Sequence, residues 1–220
     1  TAGLGVETAR VLASRGAEVV LAVRETAAAA PLVAEIEAAG GKASAAALDL
    51  ADLRSVEAFA AAADGAPLHL LINNAGIMAC PLMRTAQGFE TQLGVNHVGH
   101  FHLTSLLLPA LKAANGARVV AVASSGHLWS GFDFDDPNFE RTDYDPLAAY
   151  GRSKTANALF ALELDRRYRG DDIRAFSLMP GGIHTSLGRH MTDEMRQRLG
   201  VDTGSGSQYK WKTVEQGSAT

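Results

Sequence analysis

Residues 3–24 read GLGVETARVLASRGAEVVLAVR, a helical segment followed closely by a short apolar run of strand type at 17–23. Gly3, Leu4 and Gly5 open the predicted helix directly. Glycines at such a helix start let the backbone approach a pyrophosphate, which the positive end of the helix dipole favours. The stretch therefore predicts a helix–strand unit with a dinucleotide-binding loop, although glycines also mark plain turns.

The alternation of helix and strand patterns continues along the whole chain. Further strand-like runs lie at 43–48, 68–72, 117–123 and 173–179, and helical patterns at 26–39, 52–63, 86–114 and 148–169. Runs that are apolar on nearly every residue are typical of strands covered by helices on both faces. We therefore predict an α/β fold, a Rossmann-type doubly wound parallel sheet, with residues 1–220 forming a single nucleotide-binding domain.

Composition excludes several functional classes. The 220 residues are 47% apolar and 20% charged, with a net charge of −4, which offers no basic face for nucleic acid. No apolar run has the length of a membrane span. Cys80 is the only cysteine, so no internal disulfide can form and we expect a reducing, cytoplasmic setting.

Three histidines, His97, His100 and His102, raise the question of a metal site. No cysteine or carboxylate stands near them at ligand spacing, so we predict no metal and interpret them as a cluster on a helix surface or a subunit contact.

Polar residues at strand ends add to the nucleotide prediction. Arg24 ends the strand 17–23, where an acidic side chain would hold a ribose hydroxyl and an arginine can pair with a 2′-phosphate. Arg24 therefore favours NADP(H), with NAD(H) still open and a solvated arginine as the simpler alternative. Asp49 and Leu50 follow the next strand, where an adenine ring would lie.

Asn74, Ala75 and Gly76 follow the strand 68–72, where two successive amides and a glycine leave room for a ligand. Farther along, Tyr150 and Lys154 lie one helical turn apart within AAYGRSKTANALFALELDRR. Taken alone, this pair could be a lysine stem packed along a surface tyrosine.

Six features taken together resemble the short-chain dehydrogenase/reductase family. They are GLG at 3–5, NNAG at 73–76, VN at 95–96, Ser124, Tyr150-x-x-x-Lys154 and PGG at 180–182. The resemblance covers nearly the whole chain. The stretch GHLWSGFDFDDPNFE before the Tyr150 helix is similar to the branch of retinol dehydrogenases and WW-domain oxidoreductases, and Tyr150 stands 26 positions after Ser124.

The resemblance implies an oxidoreductase that interconverts a carbonyl and an alcohol. Tyr150 would be the general acid/base and Lys154 its partner, with the ammonium and the nicotinamide lowering the tyrosine pKa. Ser124 would hold the substrate oxygen, and Asn96 would hold a water that relays protons to Lys154. The family position of this serine selects Ser124 rather than Ser125.

The resemblance also implies that Pro180, Gly181, Ile183 and Thr185 surround the nicotinamide and the phosphates. Residues 183–214, with a helix starting at 192–194, are a candidate substrate lid. Met191, Leu199 and Trp211 indicate an apolar small-molecule substrate. Pairing through helices 98–113 and 150–168 into a homodimer or homotetramer stays open.

Two other functions remain as alternatives. The first is a catalytically silent NADP-binding sensor or scaffold, although all four catalytic residue types are present. The second is an acyl-carrier-linked ketoreductase, which needs a basic docking patch. Its candidate residues are Arg189, Arg196, Arg198, Lys210 and Lys212.

The family also begins with a strand before Thr1 and ends with one after Thr220. That first strand lies in the middle of the sheet, and its loss would leave two neighbours with unpaired backbone groups. We therefore expect a longer natural chain. An intact mass of 23.1 kDa for the purified protein would contradict this expectation.

Overall fold

The computed structural model describes residues 3–63, 65–200 and 211–220. The strands in these residues are β1 (Glu18–Val23), β2 (Lys42–Ala47), β3 (Leu70–Asn73), β4 (Arg118–Val122) and β5 (Arg174–Leu178). The α-helices are α1 (Leu4–Ser14), α2 (Ala30–Ala38), α3 (Leu53–Ala62), α4 (Thr91–Leu93), α5 (Gly99–Leu106), α6 (Leu108–Ala113), α7 (Pro146–Tyr168), α8 (Asp193–Arg198) and α9 (Val214–Ser218). Short 3₁₀ turns cover Thr26–Ala29, Ser125–Leu128, Arg169–Asp171 and Ser186–His190.

All strand pairs are parallel, as the alternation of helices and strands predicts. β1 pairs with β2 from Glu18 opposite Lys42 onward, and β4 lies between β3 and β5. The described strands form two sheets, one with two strands and one with three, and none of them joins β1 to β3. The predicted α/β architecture with a parallel sheet is confirmed, but the continuity of the sheet differs within these residues.

Three apolar clusters hold the helices on the strands. Leu111, Val119, Leu164 and Ile173 form one cluster between β4, β5 and the helices α6 and α7. A second cluster includes Leu50, Val56 and Leu103, and a third includes Ala9, Leu32 and Ile36. Burial of each large side chain contributes about 2 kcal/mol. The long helix α7 is thereby fixed against β4 and β5.

The outer sheet departs from the expectation that both faces are covered. Val19 and Leu21 of β1 pack against the cluster formed by α1 and α2. Val20, which points to the opposite face, is 55% exposed. Because neighbouring residues of a strand point to opposite faces, the apolar run of β1 is buried on one side only among the described residues.

Side-chain caps define the starts of the helices that matter most for the site. Asp52 accepts a hydrogen bond from the backbone of Arg54 and caps α3, where the helical pattern 52–63 begins. Asp145 accepts from the amides of Leu147 and Ala148 at the start of α7. Such a cap contributes about 1 kcal/mol.

The predicted helical region 86–114 is shorter and broken. It begins at Thr91, and Gly94–Val98 forms a π-helical turn between α4 and α5. Gly99 follows this turn, and a Cβ atom there would lie 2.6 Å from the Leu50 carbonyl oxygen. Turns of this kind occur frequently at functional sites.

None of the helices in the described ranges is both long and apolar enough to cross a membrane.

Candidate active site

Several of the predicted site residues lie where β3, β4 and β5 end. Asn74 follows β3, Ser124 follows β4, and Pro180 follows β5. The carboxyl ends of parallel strands meet at the same edge of a sheet, which is where ligands bind in α/β folds. The start of α7, which carries Tyr150 and Lys154, packs against the turn that follows β4.

Ser124 and Tyr150 form the centre of this cluster. The phenol of Tyr150 is buried, with 3% of the residue exposed, and a hydrogen bond connects it with Ser124. The Ser124 oxygen also accepts from the Gly126 amide at 3.1 Å, so its own hydrogen is left to donate elsewhere. Gly126 packs on the phenol, because a Cβ atom there would lie 2.8 Å from Tyr150 Cε1.

The pKa of Tyr150 differs from the expectation. Burial raises the pKa above its ordinary value, and the hydrogen bond with Ser124 acts in the opposite direction. The family resemblance implies a Tyr150 pKa lowered by the neighbouring ammonium and the nicotinamide. In the protein alone, removal of the phenol from water outweighs the other influences.

Lys154 is an interior lysine, and the alternative of a surface pair is wrong. Its Nζ atom donates to the Val122 carbonyl oxygen at 2.8 Å and lies 5.6 Å from the centre of the Tyr150 ring. Burial lowers the pKa of Lys154 to about 8. The side chain therefore remains mostly charged at neutral pH, but it can lose its proton under mildly alkaline conditions.

Asn96 lies fully buried in the π-helical turn and supports the loop after β3. Its amide nitrogen donates to the Ile77 carbonyl and to Ser153 Oγ, each at 2.9 Å. Its Oδ1 atom accepts from the Ile77 amide at 2.8 Å. Both donors of the side chain are thus used within the protein. A Cβ atom on Gly76 would lie 3.4 Å from Asn96 Oδ1 and 3.7 Å from Lys154 Nζ, so the loop after β3 lies beside both residues.

Glycines bring the predicted cofactor segments close together. Gly3 has φ = +69°, and a Cβ atom there would lie 3.3 Å from Thr185. A Cβ atom on Gly5 would lie 2.8 Å from the Asn74 amide nitrogen. Gly181 also has a positive φ, of +99°. The start of α1 and the loops after β3 and β5 therefore lie close together around one cleft, which we call the cradle. Side chains in place of these glycines would occupy its space.

The residues predicted to bind the adenine side of the cofactor lie in three different environments. Arg24 is exposed at the end of β1, and no carboxylate in the described part of the chain forms an ion pair with it. Asp49 Oδ1 accepts from the Ala51 amide, which shapes the turn after β2. Leu50 is buried in the cluster with Val56, so its side chain serves the core.

The remaining predicted contacts lie around the cradle. Ala75 is exposed, whereas Pro180 is buried where β5 ends. Ile183 forms an isolated bridge with Lys212 and packs on Gly217 of α9. Leu4 contacts the same glycine from α1. These contacts connect the two ends of the described chain at the edge of the cradle.

A cavity of about 280 Å³ is lined by Trp129, Leu147, Ala148, Arg198 and Leu199. The Trp129 ring lies 5.9 Å from that of Tyr150, centre to centre, so the cavity adjoins the Ser124–Tyr150 cluster. Its walls combine apolar side chains with the charged side chain of Arg198, which α8 contributes from its last turn. Thr192 caps α8 as predicted.

The proposed lid and basic patch are only partly described. Residues 203–208 and Lys210 fall outside the described residues. Trp211 stacks on His184 with ring centres 3.9 Å apart, and Arg198 forms an ion pair with Asp145. Arg189 donates to the Ser186 carbonyl.

The interpretation of the histidines as a helix-surface cluster or a subunit contact is wrong for His100, whereas His97 and His102 are half-buried. His100 is buried, and its Nδ1 atom lies 2.9 Å from the Asn96 carbonyl oxygen. Burial lowers the pKa of His100 to about 4, with smaller contributions from Lys154 and His97. Within the described ranges, no group of three or more metal-binding side chains is found.

Several residues of the site were not predicted. Ser153 links Asn96 to the Tyr150 carbonyl, and Trp129 lines the cavity. Asn157 donates to the same Val122 carbonyl as Lys154. Its spacing of three residues from Lys154 puts both on one helical face, so that signal was available in the sequence.

Comparison with known proteins gives consistent matches. A model of the family described as short chain dehydrogenase matches residues 1–134. A "probable oxidoreductase" of Streptomyces lividans is 50% identical over 99% of this chain and 74% of its own length. Human retinol dehydrogenase 12 is 45% identical over 86% of this chain and 60% of its own length.

A solved structure supports the fold. The short-chain dehydrogenase from Sphingobium yanoikuyae in complex with NADPH superimposes with a TM-score of 0.77 at 21% identity, covering 99% of this chain and 78% of that one. At this identity the likeness concerns the fold alone. The sequence profile, the curated relatives and the parallel α/β architecture agree, and the chain belongs to the short-chain dehydrogenase family of oxidoreductases.

Proposed function

We propose that the protein is an NADP(H)-dependent oxidoreductase that interconverts a carbonyl and an alcohol, with Tyr150 as the proton donor and acceptor. The observation that carries this proposal is the convergence of Ser124, Tyr150 and Lys154 beside a cavity. The cofactor supplies or accepts the hydride when bound. The protein positions the groups and moves the proton.

The cradle fits a dinucleotide. Gly3, Leu4 and Gly5 would bind the pyrophosphate at the start of α1, where the helix dipole favours negative charge. The adenine nucleoside would be lined by Asp49, Leu50, Asn74, Ala75 and Gly76. The nicotinamide would be lined by Tyr150, Lys154, Pro180, Gly181, Ile183 and Thr185. The exposed guanidinium of Arg24 would pair with a 2′-phosphate, which favours NADP(H) over NAD(H).

Each catalytic side chain has a distinct task. Ser124 donates a hydrogen bond to the substrate oxygen and holds it beside the phenol of Tyr150. Tyr150 transfers the proton to or from that oxygen. Lys154, charged at neutral pH, stabilises the phenolate form, and Asn96 fixes the loop against which Lys154 lies. A bound nicotinamide would add a second positive charge and offset the effect of burial on the Tyr150 pKa.

The substrate is a small carbonyl or alcohol compound with an apolar part, because Trp129, Leu147, Ala148 and Leu199 line the cavity together with Arg198. Residues 183–214 would act as its lid. A separate apolar groove of about 350 Å³ between α5 and α7, bordered by Phe101 and Phe160, supports pairing of copies into a homodimer or homotetramer. A cytoplasmic location is consistent with the single buried thiol of Cys80.

The test combines turnover with cofactor binding. NADPH and NADH are each offered with a panel of aldehydes and ketones, and loss of the reduced-nicotinamide absorbance is followed. Tyr150→Phe should lower kcat by a factor on the order of 10² to 10⁴ and leave the NADPH Kd within about twofold. Turnover of Tyr150→Phe at the wild-type rate would refute the assignment. NADPH binding without turnover of any substrate would support the binding-only alternative.

A further inference from the structure

The Val122 carbonyl, at the end of β4, accepts two side-chain hydrogen bonds from α7. Lys154 Nζ donates to it at 2.8 Å, and Asn157 Nδ2 donates at 3.3 Å. A carbonyl oxygen has two lone pairs, so these two donors can use both. Asn157 is almost completely buried and has no contact with the cavity described above.

The orientation of the Asn157 amide is set by a second, half-buried side chain, that of His97. Asn157 Oδ1 lies 3.2 Å from His97 Nδ1. Because Nδ2 donates to Val122, Oδ1 must be the acceptor, and His97 must carry its proton on Nδ1. Burial lowers the pKa of His97, which keeps the ring neutral in this arrangement.

The contacts form a continuous chain from the π-helical turn to the catalytic residues. His97 orients Asn157, Asn157 and Lys154 hold the Val122 carbonyl, and the backbone reaches Ser124 two residues later. A shift of Val122 would therefore move the acceptor of Lys154 and the hydroxyl of Ser124 together.

We propose that Asn157, oriented by His97, is a positioning residue that fixes the Val122 carbonyl for Lys154 and thereby sets Ser124 relative to Tyr150. The catalytic consequence rests on the proposed function, whereas the hydrogen-bond chain itself does not. Asn157 acts through Val122 and takes no direct part in proton transfer.

The first test compares two substitutions on the same helix. Asn157→Leu keeps the approximate volume of the side chain and removes both hydrogen bonds. Leu164→Ala instead removes apolar contact with Leu111 and Ile173, far from Val122, and serves as a control for lost stability. Asn157→Leu should lower kcat about 10- to 100-fold with the NADPH Kd within about twofold, and Leu164→Ala should lower only the thermal midpoint. Equal kcat values in the two variants would overturn the proposal.

The second test uses charge. In Asn157→Asp, a carboxylate sits next to the shared carbonyl and favours the charged form of Lys154, so the lysine pKa should rise by at least about half a pH unit. The other titratable groups around this network are Tyr150 on α7, His97 and His100 on the neighbouring helical segment, and His127 after β4. The pH profile of kcat should move in the same direction as the lysine titration.

The NMR readouts do not depend on turnover. The Lys154 titration is followed with ¹³C-labelled lysine, with Lys154→Met used for assignment, and the His97 tautomer with ¹⁵N-labelled histidine. The expected results are a raised Lys154 pKa in Asn157→Asp and an Nδ1–H tautomer of His97 that is lost in Asn157→Leu. An unchanged Lys154 titration, or an Nε2–H tautomer of His97 in the wild type, would overturn the proposal.

If the wild-type protein turned over no substrate, the proposed function would fail, but these NMR measurements would still show whether the hydrogen-bond chain exists. Should Asn157→Leu fail to fold, Asn157→Asp carries the test.

Discussion

Arg198 at the end of α8 forms an ion pair with Asp145, the residue that caps α7, with 2.5 Å between Nη1 and Oδ2. The Oδ1 atom of the same carboxylate accepts the first amides of α7. One side chain therefore begins the helix that carries Tyr150 and also holds α8 against the cavity.

Breaking this ion pair should weaken substrate binding and leave the fold intact. Asn caps helices as well as Asp does, so Asp145→Asn removes the charge and keeps the cap. Asp145→Asn and Arg198→Gln should each raise the substrate KM a few-fold, and the double variant should be no worse than either alone. The pair is partly exposed, so the stability change should stay below about 1 kcal/mol.

Asp145→Ala is the matched control for the cap. It loses the hydrogen bonds to α7 as well as the ion pair, so its free energy of unfolding should fall by about 1 kcal/mol more than that of Asp145→Asn. Steady-state kinetics and thermal denaturation separate the two roles. An unchanged KM in both Asp145→Asn and Arg198→Gln would show that α8 is held by other contacts.

Arg24 should decide the preference between the two nicotinamide cofactors. Arg24→Glu replaces a cation by an anion where the 2′-phosphate is expected, so the ratio of kcat/KM for NADPH over NADH should fall at least about tenfold. Arg15→Glu makes the same charge change at an exposed residue after α1 and should leave the ratio unchanged. The ratio is measured with one substrate at fixed ionic strength. Equal ratios for Arg24→Glu and the wild type would contradict the NADP(H) assignment.

Gly126 should be required for the geometry of Tyr150. An added Cβ atom would lie 2.8 Å from the phenol ring, which has no free space to move because it is buried. Gly126→Ala should therefore lower kcat at least about tenfold with little change in the NADPH Kd. Gly131 lies in the same loop with nothing within 4 Å of its added Cβ, so Gly131→Ala should behave like the wild type. A wild-type kcat for Gly126→Ala would contradict the described packing.

The burial of Lys154 should lower the free energy of unfolding at neutral pH. Its pKa in the folded protein is about 8, against an ordinary value of 10.5, so the unfolded chain binds more protons between these two values. Stability therefore rises with pH across this window, and the penalty is complete below pH 8. This difference in pKa corresponds to about 3 kcal/mol of unfolding free energy. Lys154→Met should recover that amount, less the contribution of the hydrogen bond to Val122, which the variant loses.

The measurement is thermal denaturation of the wild type and Lys154→Met from pH 7 to pH 10.5. The midpoint of Lys154→Met should exceed that of the wild type at pH 7, and the difference should shrink as the pH rises. A difference that does not vary with pH would show that burial does not perturb the lysine.

The sequence was most informative where local chemistry decides the structure. The helix starts at Asp52 and Thr192, the parallel strands and the shared helical face of Tyr150 and Lys154 all follow from spacing and residue type. The family resemblance added the roles expected of Ser124 and Asn96. These predictions needed no knowledge of distant contacts.

Other features depended on tertiary contacts that spacing alone does not show. The burial of His100 is a tertiary feature, and Gly99, which follows the π-helical turn, lies against Leu50, a residue distant in the sequence. The raised pKa of Tyr150 follows from desolvation, which a helical spacing cannot reveal. Asn157 could be found on the same helical face as Lys154, but its acceptor lies on a different element.

The shared carbonyl of Val122 carries a lesson for enzyme design. A tyrosine and a lysine placed at this spacing on an arbitrary helix would reproduce the sequence motif without the carbonyl that accepts from the lysine, and the ammonium would turn to the solvent. A transplant that keeps the chemistry has to bring the end of β4, its carbonyl and the amide of Asn157 as one unit.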